Sequence, residues 1–363
     1  MTAEIAIIIP TFNERDNIER VHAGLARVLA GRNWEALFVD DDSPDATVAV
    51  IRALASRDAR VRCLSRLGRR GLSSACIEGV LATTAPVICI MDADLQHDES
   101  ILPEMLLRLR EDALDLVVAT RYADAGSMGA LAPGRVRLSR LATRFTRALT
   151  RVPISDPMSG FFLFRRDWFE RVMRRMSGRG FKILLDMLLS SPSSPKYAEV
   201  AYTMRSRAHG ASKLSLGVIW DFLVLLVHKL LGRLIPARFI SFSLVGLSGI
   251  AVHMAVLWLV HRYLGAAFLI GQATATMVAM TSNFILNNLF TYRDRRLRGL
   301  QIARGLFSFY IACSLGALIN VALAGWTQGS GMPWWLSGLV GVVAGAVWNY
   351  SSTAVLTWRD PVE

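Results

Sequence analysis

The stretch VICIMDADLQHD, residues 87–98, decides how the chain is read. Its first five residues, Val87 to Met91, are apolar and fit a strand buried on both faces of a sheet. They run straight into Asp92, Asp94, Gln96, His97 and Asp98 within one short turn. Carboxylates crowded at a strand end repel one another unless something positive sits among them. Asp92, Asp94 and the amide oxygen of Gln96 are hard oxygen donors suited to Mg²⁺ or Mn²⁺. A cation there bridges protein to diphosphate and stabilises a departing phosphate anion. A lone DxD is more often a solvated turn, so its neighbours must decide.

They repeat the pattern. The first apolar run, residues 5–9, ends in PTFNE (10–14), and the second, 36–39, ends in DDDSPD (40–45). Amphipathic segments alternate with these runs. One carries Ile18, Val21, Leu25, Val28 and Leu29 on a single face, and others span 47–55, 72–81 and 100–110. Further strands are expected at 61–64 and 116–119. This alternation predicts an α/β domain with a mostly parallel sheet and helices on both faces. Ligands of such sheets sit beyond the carboxyl ends of the strands, where the three acidic loops would converge. Neither GxGxxG after a strand nor GxxxxGK[ST] occurs, so a dinucleotide fingerprint and a P-loop are both unsupported.

Composition divides the chain in two. Its 363 residues are 53% hydrophobic, above the globular norm, and the excess lies in the carboxyl-terminal part. Four stretches, roughly 239–260, 266–290, 306–328 and 334–358, are long enough to span a bilayer, which takes about 20 apolar residues. Arg233, Arg238, Arg293, Arg295, Arg296, Arg298, Arg304 and Arg359 flank them on one side, against His261 and Arg262 on the other. By the positive-inside rule both termini and the amino-terminal half face the cytoplasm. The net charge of +12 therefore needs no nucleic acid to explain it. The four cysteines show no close pairing, and the first 25 residues carry Glu4, Glu14, Arg15 and Asp16, which does not fit a signal peptide.

SFSLVGLSGIAVH (241–253) parallels SFYIACSLGALIN (308–320), and NFILNNLFTYRD (283–294) parallels NYSSTAVLTWRD (349–360). The offset of about 66 residues predicts two duplicated helical hairpins. Asn283, Asn287 and Asn349 inside them read as interhelical hydrogen-bonding groups. A basic amphipathic segment, GRVRLSRLATRFTR (134–147), with Arg135, Arg137, Arg140, Arg144 and Arg147, reads as membrane-surface binding beside such a half.

IIIPTFNERDNI, VDDDSPDAT, GLSSA, MDADLQH, DPMSGFF, GFKILL and RAHGASKL, in this order from residue 5 to about 214, resemble the family 2, GT-A-fold glycosyltransferases. More narrowly they resemble the dolichol-phosphate mannose synthases and their polyprenyl-phosphate relatives. The last 126 residues (238–363) are similar to the GtrA-like four-helix membrane domain. The resemblance implies a GT-A catalytic domain over 1–215, an interfacial helical junction over 216–237 and an all-α four-helix transmembrane domain over 238–363.

The resemblance also implies residue roles. Pro10, Thr11, Phe12 and Glu14, with Asp41 and Asp42, would hold the base and ribose of a sugar nucleotide, and Asp92, Asp94 and Gln96 the metal and diphosphate. Arg121, Arg135 and Ser139 match positions that receive a lipid phosphate, and Arg207 and Lys213 match a basic loop over the donor phosphates. Relatives often carry glycine where this chain has Asp42. Asp156 either orients the sugar or caps a turn with Ser159. The expected partners are GDP-mannose, dolichyl or polyprenyl phosphate and the bilayer, with a further copy of the chain possible.

The acceptor shapes the expected chemistry. A lipid monophosphate has a second pKa of about 6 and is already mostly a dianion at pH 7, so no general base is required. In-line attack inverts the anomeric carbon, and the lack of a QxxRW stretch fits a single transfer. A UDP-glucose-dependent transfer by the same mechanism, or a non-catalytic scaffold or translocator of lipid-linked sugars, stands as the alternative. The expected location is a prokaryotic inner membrane.

Overall fold

The structure, a computed structural model, describes residues 2–121, 152–178, 180, 182–205, 220, 223–227 and 235–358. It divides into two compact units, residues 1–225 and 226–363.

The first unit is built on seven strands: β1 Ile5–Thr11, β2 Trp34–Asp40, β3 Val61–Ser65, β4 Val87–Ile90, β5 Leu116–Thr120, β6 Phe162–Arg165 and β7 Tyr197–Ala201. They form one sheet in the order β3-β2-β1-β4-β6-β5-β7. β6 runs antiparallel to β4 and β5, and the other pairings are parallel. The chain builds outward from β1 to β3 and then returns to place β4 on the other side of β1, so β1 and β4 flank the switch point.

Strand periodicity sorts the core into two layers. Ile5, Ile7 and Ile9 of β1 face Ile18, Val21 and Leu25 of α1 (Ile18–Val28), Ile51 and Leu54 of α2 (Thr47–Ala55), and Met105, Leu106 and Leu109 of α4 (Leu102–Glu111). Ala6 and Ile8 face the other way, toward Ala75, Cys76 and Val80 of α3 (Leu72–Leu81), Trp168, Phe169 and Val172 of α5 (Arg166–Met173), and Ile183, Leu184 and Met187 of α6 (Ile183–Ser190). Because β1, β4 and β5 are covered on both faces, their sequences are unbroken apolar runs. Each large side chain so buried contributes about 1.5–3 kcal/mol.

The fourth helix starts later than its apolar pattern suggests. Asp98 Oδ1 accepts from the Ser100 backbone N–H at 3.1 Å and caps a 3₁₀ turn, Glu99–Ile101, and α4 begins only at Leu102, with Pro103 in its first turn.

The second unit holds α7 Ala237–Leu257, α8 Phe268–Leu286, α9 Gln301–Gly329 and α10 Trp334–Leu356, packed as α7 with α8 and α9 with α10. Among the described residues three segments are long and apolar enough to cross a membrane: Ala237–Tyr263, Gln301–Gly329 and Leu339–Leu356. The stretch read as a fourth span forms α8, whose 19 residues reach about 28 Å before a π-helical turn, Asn287–Thr291, extends it. Leu247, Phe307 and Val321 point outward at 61%, 68% and 72% exposure, as lipid-facing side chains would.

The intramembrane asparagines depart from expectation. The Oδ1 atoms of Asn283, Asn287 and Asn349 are buried and meet no hydrogen-bond partner among the described residues. Asn283 and Asn349 pack instead against Gly249 and Gly316, so closely that a methyl group on either glycine would collide with the amide. Small residues let helix backbones approach, and here that closeness adds to the hydrogen bonds within each hairpin, Ser241 with Thr291 and His253 with Gln272 in the first, Ser308 with Thr357 and Trp348 Nε1 with the Ala312 carbonyl in the second. Asn288 is bonded instead: it holds both backbone groups of Leu297 (2.8 and 3.2 Å) and accepts from Trp358 Nε1 (3.1 Å).

Candidate active site

The carboxyl ends of β1, β2, β4 and β5 gather Pro10, Thr11, Phe12, Glu14, Asp41, Asp42, Asp92, Asp94, Gln96 and Arg121 along one sheet edge. Asp156 joins them from the turn before β6. Arg135, Ser139, Arg207 and Lys213 lie outside the described residues, as does the basic segment 134–147.

The loop after β4 is braced from several sides. Leu95 takes a left-handed backbone (φ 62°), which folds Gln96 N–H back onto Asp94 Oδ1 at 3.2 Å. Gln96 Nε2 donates to the Arg205 carbonyl at 3.3 Å, the Arg205 N–H donates to the Gln96 carbonyl at 2.9 Å, and the Arg205 guanidinium reaches Asp98 and Glu99, both at 2.7 Å. His97 is buried between Tyr202 Oη, 2.9 Å from Nδ1, and Asp92 Oδ2, 3.5 Å from Nε2. Burial pushes the Tyr202 phenol far above its ordinary value, with Arg121 opposing. The His97 ring thus bridges the Tyr202 hydroxyl and the Asp92 carboxylate. Behind Asp92, Gly160 leaves no spare room, since a Cβ there would stand 2.8 Å from Oδ2.

This donor set fits a divalent cation whose shell is completed by further oxygen donors. Among the described residues no three His, Cys, Asp or Glu side chains converge to hold an ion unaided. Two carboxylates and an amide oxygen, completed by phosphate oxygens, are what Mg²⁺ or Mn²⁺ ordinarily takes at such sites. The Asp92 side chain is 38% exposed and open to such a ligand.

Arg121 extends from the end of β5 to Asp156. Its Nε and Nη2 lie 2.8 and 2.7 Å from Oδ2 of that fully buried carboxylate. Asp156 does not cap Ser159 with its side chain. Its backbone carbonyl accepts the Ser159 N–H at 3.1 Å, while the Ser159 hydroxyl donates to the Ala119 carbonyl. The Asp156 Oδ1 atom is buried without a partner among the described residues.

The loop after β2 is held largely by its own carboxylates. Asp40 Oδ1 accepts the Ser43 N–H at 2.9 Å, and its Oδ2 accepts the hydroxyls of Ser43 (2.6 Å) and Thr11 (3.3 Å). Asp41 pairs with buried Arg66 and accepts the Gly71 N–H at 2.6 Å. Asp42 has a left-handed backbone (φ 60°), the conformation that favours glycine, and its Oδ2 accepts the Gly68 N–H at 3.2 Å. Glu14 Oε2 accepts from Asn17 Nδ2 at 2.7 Å.

Lys182, inside the GFKILL stretch but given no role in the sequence reading, stands near Arg121, Asp156 and Asp92. Desolvation, reinforced by the charge of Arg121 and opposed by the two carboxylates, pulls its ammonium below the usual lysine value. Arg66, His97 and Tyr202 were likewise missed as organisers. Only the acidic run 40–42 and the placing of His97 within DADLQHD hinted at them.

With this geometry in view, comparison with known proteins is decisive. A dolichol-phosphate mannosyltransferase from Pyrococcus furiosus is 33% identical over 98% of this chain and 99% of its own. Residues 6–173 match the model of glycosyl transferase family 2. The chain belongs to glycosyl transferase family 2. Residues 241–358 match the GtrA/DPMS transmembrane domain, which makes this family 2 glycosyltransferase a membrane protein. A dolichol-phosphate mannosyltransferase from Saccharomyces cerevisiae is 37% identical over 61% of this chain and 85% of its own. Among solved structures, glucosyl-3-phosphoglycerate synthase from Mycobacterium tuberculosis, in complex with Mn²⁺, UDP and its product, is 20% identical over 62% of this chain and 80% of that one, at a TM-score of 0.49.

Proposed function

We propose that this family 2 glycosyltransferase moves mannose from GDP-mannose to a dolichyl or polyprenyl phosphate at the cytoplasmic face of a membrane, with inversion at the anomeric carbon. The end-to-end similarity to a dolichol-phosphate mannosyltransferase carries the reading. The donor set at residues 92–96 and the apolar helices of the second unit support it.

Residues 1–215 then serve as the catalytic domain, 216–237 as the interfacial junction and 238–363 as the membrane domain of four helices. Pro10, Thr11, Phe12 and Glu14 form the base and ribose side of the donor site, and Asp41 and Asp42 shape it through the loop they hold. Asp92, Asp94 and Gln96 would hold Mg²⁺ or Mn²⁺, which when bound neutralises the diphosphate as it departs. Arg207 and Lys213 close over the donor phosphates, and Lys182 adds a cation on the same side. A bound phosphate would favour the charged form of Lys182 against the desolvation that disfavours it.

Arg121, Arg135 and Ser139 receive the lipid phosphate. Asp156 fixes the Arg121 guanidinium, whose Nε and Nη2 both turn to one carboxylate oxygen, so the phosphate oxygen is positioned without reorganisation at the moment of transfer. The dianionic phosphate attacks directly, the sugar–diphosphate bond breaks on the opposite face, and an α-linked donor yields a β-linked lipid phosphate sugar. Bringing two polyanions together is the main barrier, and the cations of the site lower it.

The donor is tested by supplying labelled GDP-mannose and UDP-glucose in parallel to the purified protein with polyprenyl phosphate. Label entering lipid from GDP-mannose alone is expected. Label from UDP-glucose alone would replace the donor while leaving the mechanism intact.

A further inference from the structure

The carboxylates of Asp41 and Asp42 do more than line the sheet edge. They take hold of the loop between β3 and α3 at three points: the Arg66 guanidinium, the Gly68 N–H and the Gly71 N–H. Arg66 also donates to Ser74 Oγ at 2.6 Å and to the Gly71 carbonyl at 3.2 Å. Two of the loop's three arginines are thereby committed, since Arg69 pairs with Glu78. The third, Arg70, is exposed, and among the described residues no carboxylate pairs with it. Its guanidinium carbon lies 4.3 Å from the centroid of the Phe12 ring. A loop pinned to the end of β2 thus delivers one planar cation onto an aromatic ring at the end of β1.

The position says which part of a nucleotide it meets. The acidic metal ligands lie on the β4 side of β1, and Phe12 follows the residue paired with Asp40 on the β2 side. A sugar nucleotide with its diphosphate at Asp92 and Asp94 therefore extends its base across β1 toward Phe12 and the 66–71 loop. A base arriving at that ring meets a guanidinium already held beside it. The guanidinium fork matches two adjacent acceptors in one plane, which guanine presents as O6 and N7. On the corresponding edge uracil offers only O4, with the C5–H beside it. We infer that Arg70, held over Phe12 by the loop that Asp41 and Asp42 anchor, reads the O6/N7 edge of the donor's base and selects guanosine over uridine diphosphate sugars.

This specificity role rests on the reading of the donor as GDP-mannose, and calorimetry on the full chain in detergent separates the two. GDP, UDP and 7-deaza-GDP, which lacks the N7 acceptor, are titrated into the wild type and Arg70→Ala with Mn²⁺ present. The wild type is expected to prefer GDP to UDP and to bind 7-deaza-GDP more weakly than GDP. Arg70→Ala should lose about tenfold or more in GDP affinity. It should change about twofold or less toward UDP and no longer distinguish GDP from 7-deaza-GDP. Equal losses for GDP and UDP would make Arg70 a phosphate or structural contact and overturn the inference. Unchanged GDP binding would overturn it while leaving the GDP-mannose reading standing. A wild type that prefers UDP would remove that reading and the inference together.

Discussion

Tyr292 and Trp358 occupy the same position in the two sequence repeats, and their rings stack at 4.2 Å with 5° between the planes. The duplication is therefore closed physically, the end of one hairpin lying against the end of the other. Phe284 and Phe309 complete the cluster, each with its ring centroid within 6 Å of that of Trp358. Trp358→Ala should cost about 3–5 kcal/mol. Its checkable sign is a lower melting temperature of the full chain in detergent.

The same hairpins depend on glycine at the Asn contacts. Gly316→Ala places a methyl group against Asn349 in a helix pair that has no slack. Overpacking of this kind costs about 1–3 kcal/mol. The variant should melt earlier, and the double variant Gly316→Ala with Asn349→Ala should recover most of the loss.

At the catalytic edge, Gly160→Ala should act through Asp92. The new methyl group cannot share space with Oδ2 at 2.8 Å, so the carboxylate must turn away from its present orientation. Metal-supporting contacts of this kind typically change affinity or activity by about 10–100-fold. A Mn²⁺ titration of activity should show the half-saturating concentration rising, with little change in melting temperature.

Breaking the Arg121–Asp156 pair tests positioning. Asp156→Asn keeps the shape and removes the charge that orients the guanidinium of Arg121, a side chain 26% exposed. Loss of about tenfold or more in kcat/KM for the lipid phosphate is expected. An undiminished value would remove Arg121 from the acceptor site as drawn.

Acid sensitivity has a local source in Asp58. Hydrogen bonds from Arg60, opposed by burial and supported by His22, hold its carboxyl far below the usual aspartate range. Since the folded value lies below the unfolded value of about 3.9, the stabilisation is present above about pH 4 and fades as the pH falls toward the folded value. Arg60 is partly exposed, which limits the effect to about 1 kcal/mol. Denaturation at pH 7 should show Asp58→Asn weaker than the wild type, and the gap should narrow below pH 4.

What the sequence disclosed follows from how each feature is encoded. β1 to β5 and their helices are legible because burial on two faces demands unbroken apolar runs, and α2 and α3 begin and end where their patterns do. β6 is only FLFR, and it enters the sheet antiparallel between β4 and β5, which no local pattern announces. Asp92 and Asp94 stand out because acids at a strand end are costly. His97 with Tyr202, and Asp41 with Arg66 and Gly71, join residues far apart in the chain, so their pairing exists only in the fold. The acidic run 40–42 illustrates the limit. Its charges mark an important loop, but only the geometry shows that Asp41 and Asp42 also hold Arg66, Gly68 and Gly71.

The central claim is metal-dependent transfer of mannose to a lipid phosphate through Asp94. Its most direct measurement is the label extracted into lipid from GDP-[¹⁴C]mannose and polyprenyl phosphate, for the wild type with Mn²⁺, the wild type with EDTA, and Asp94→Asn with Mn²⁺. The account predicts lipid label in the first case only, with the variant melting like the wild type. Full label in EDTA, or from Asp94→Asn, would contradict it.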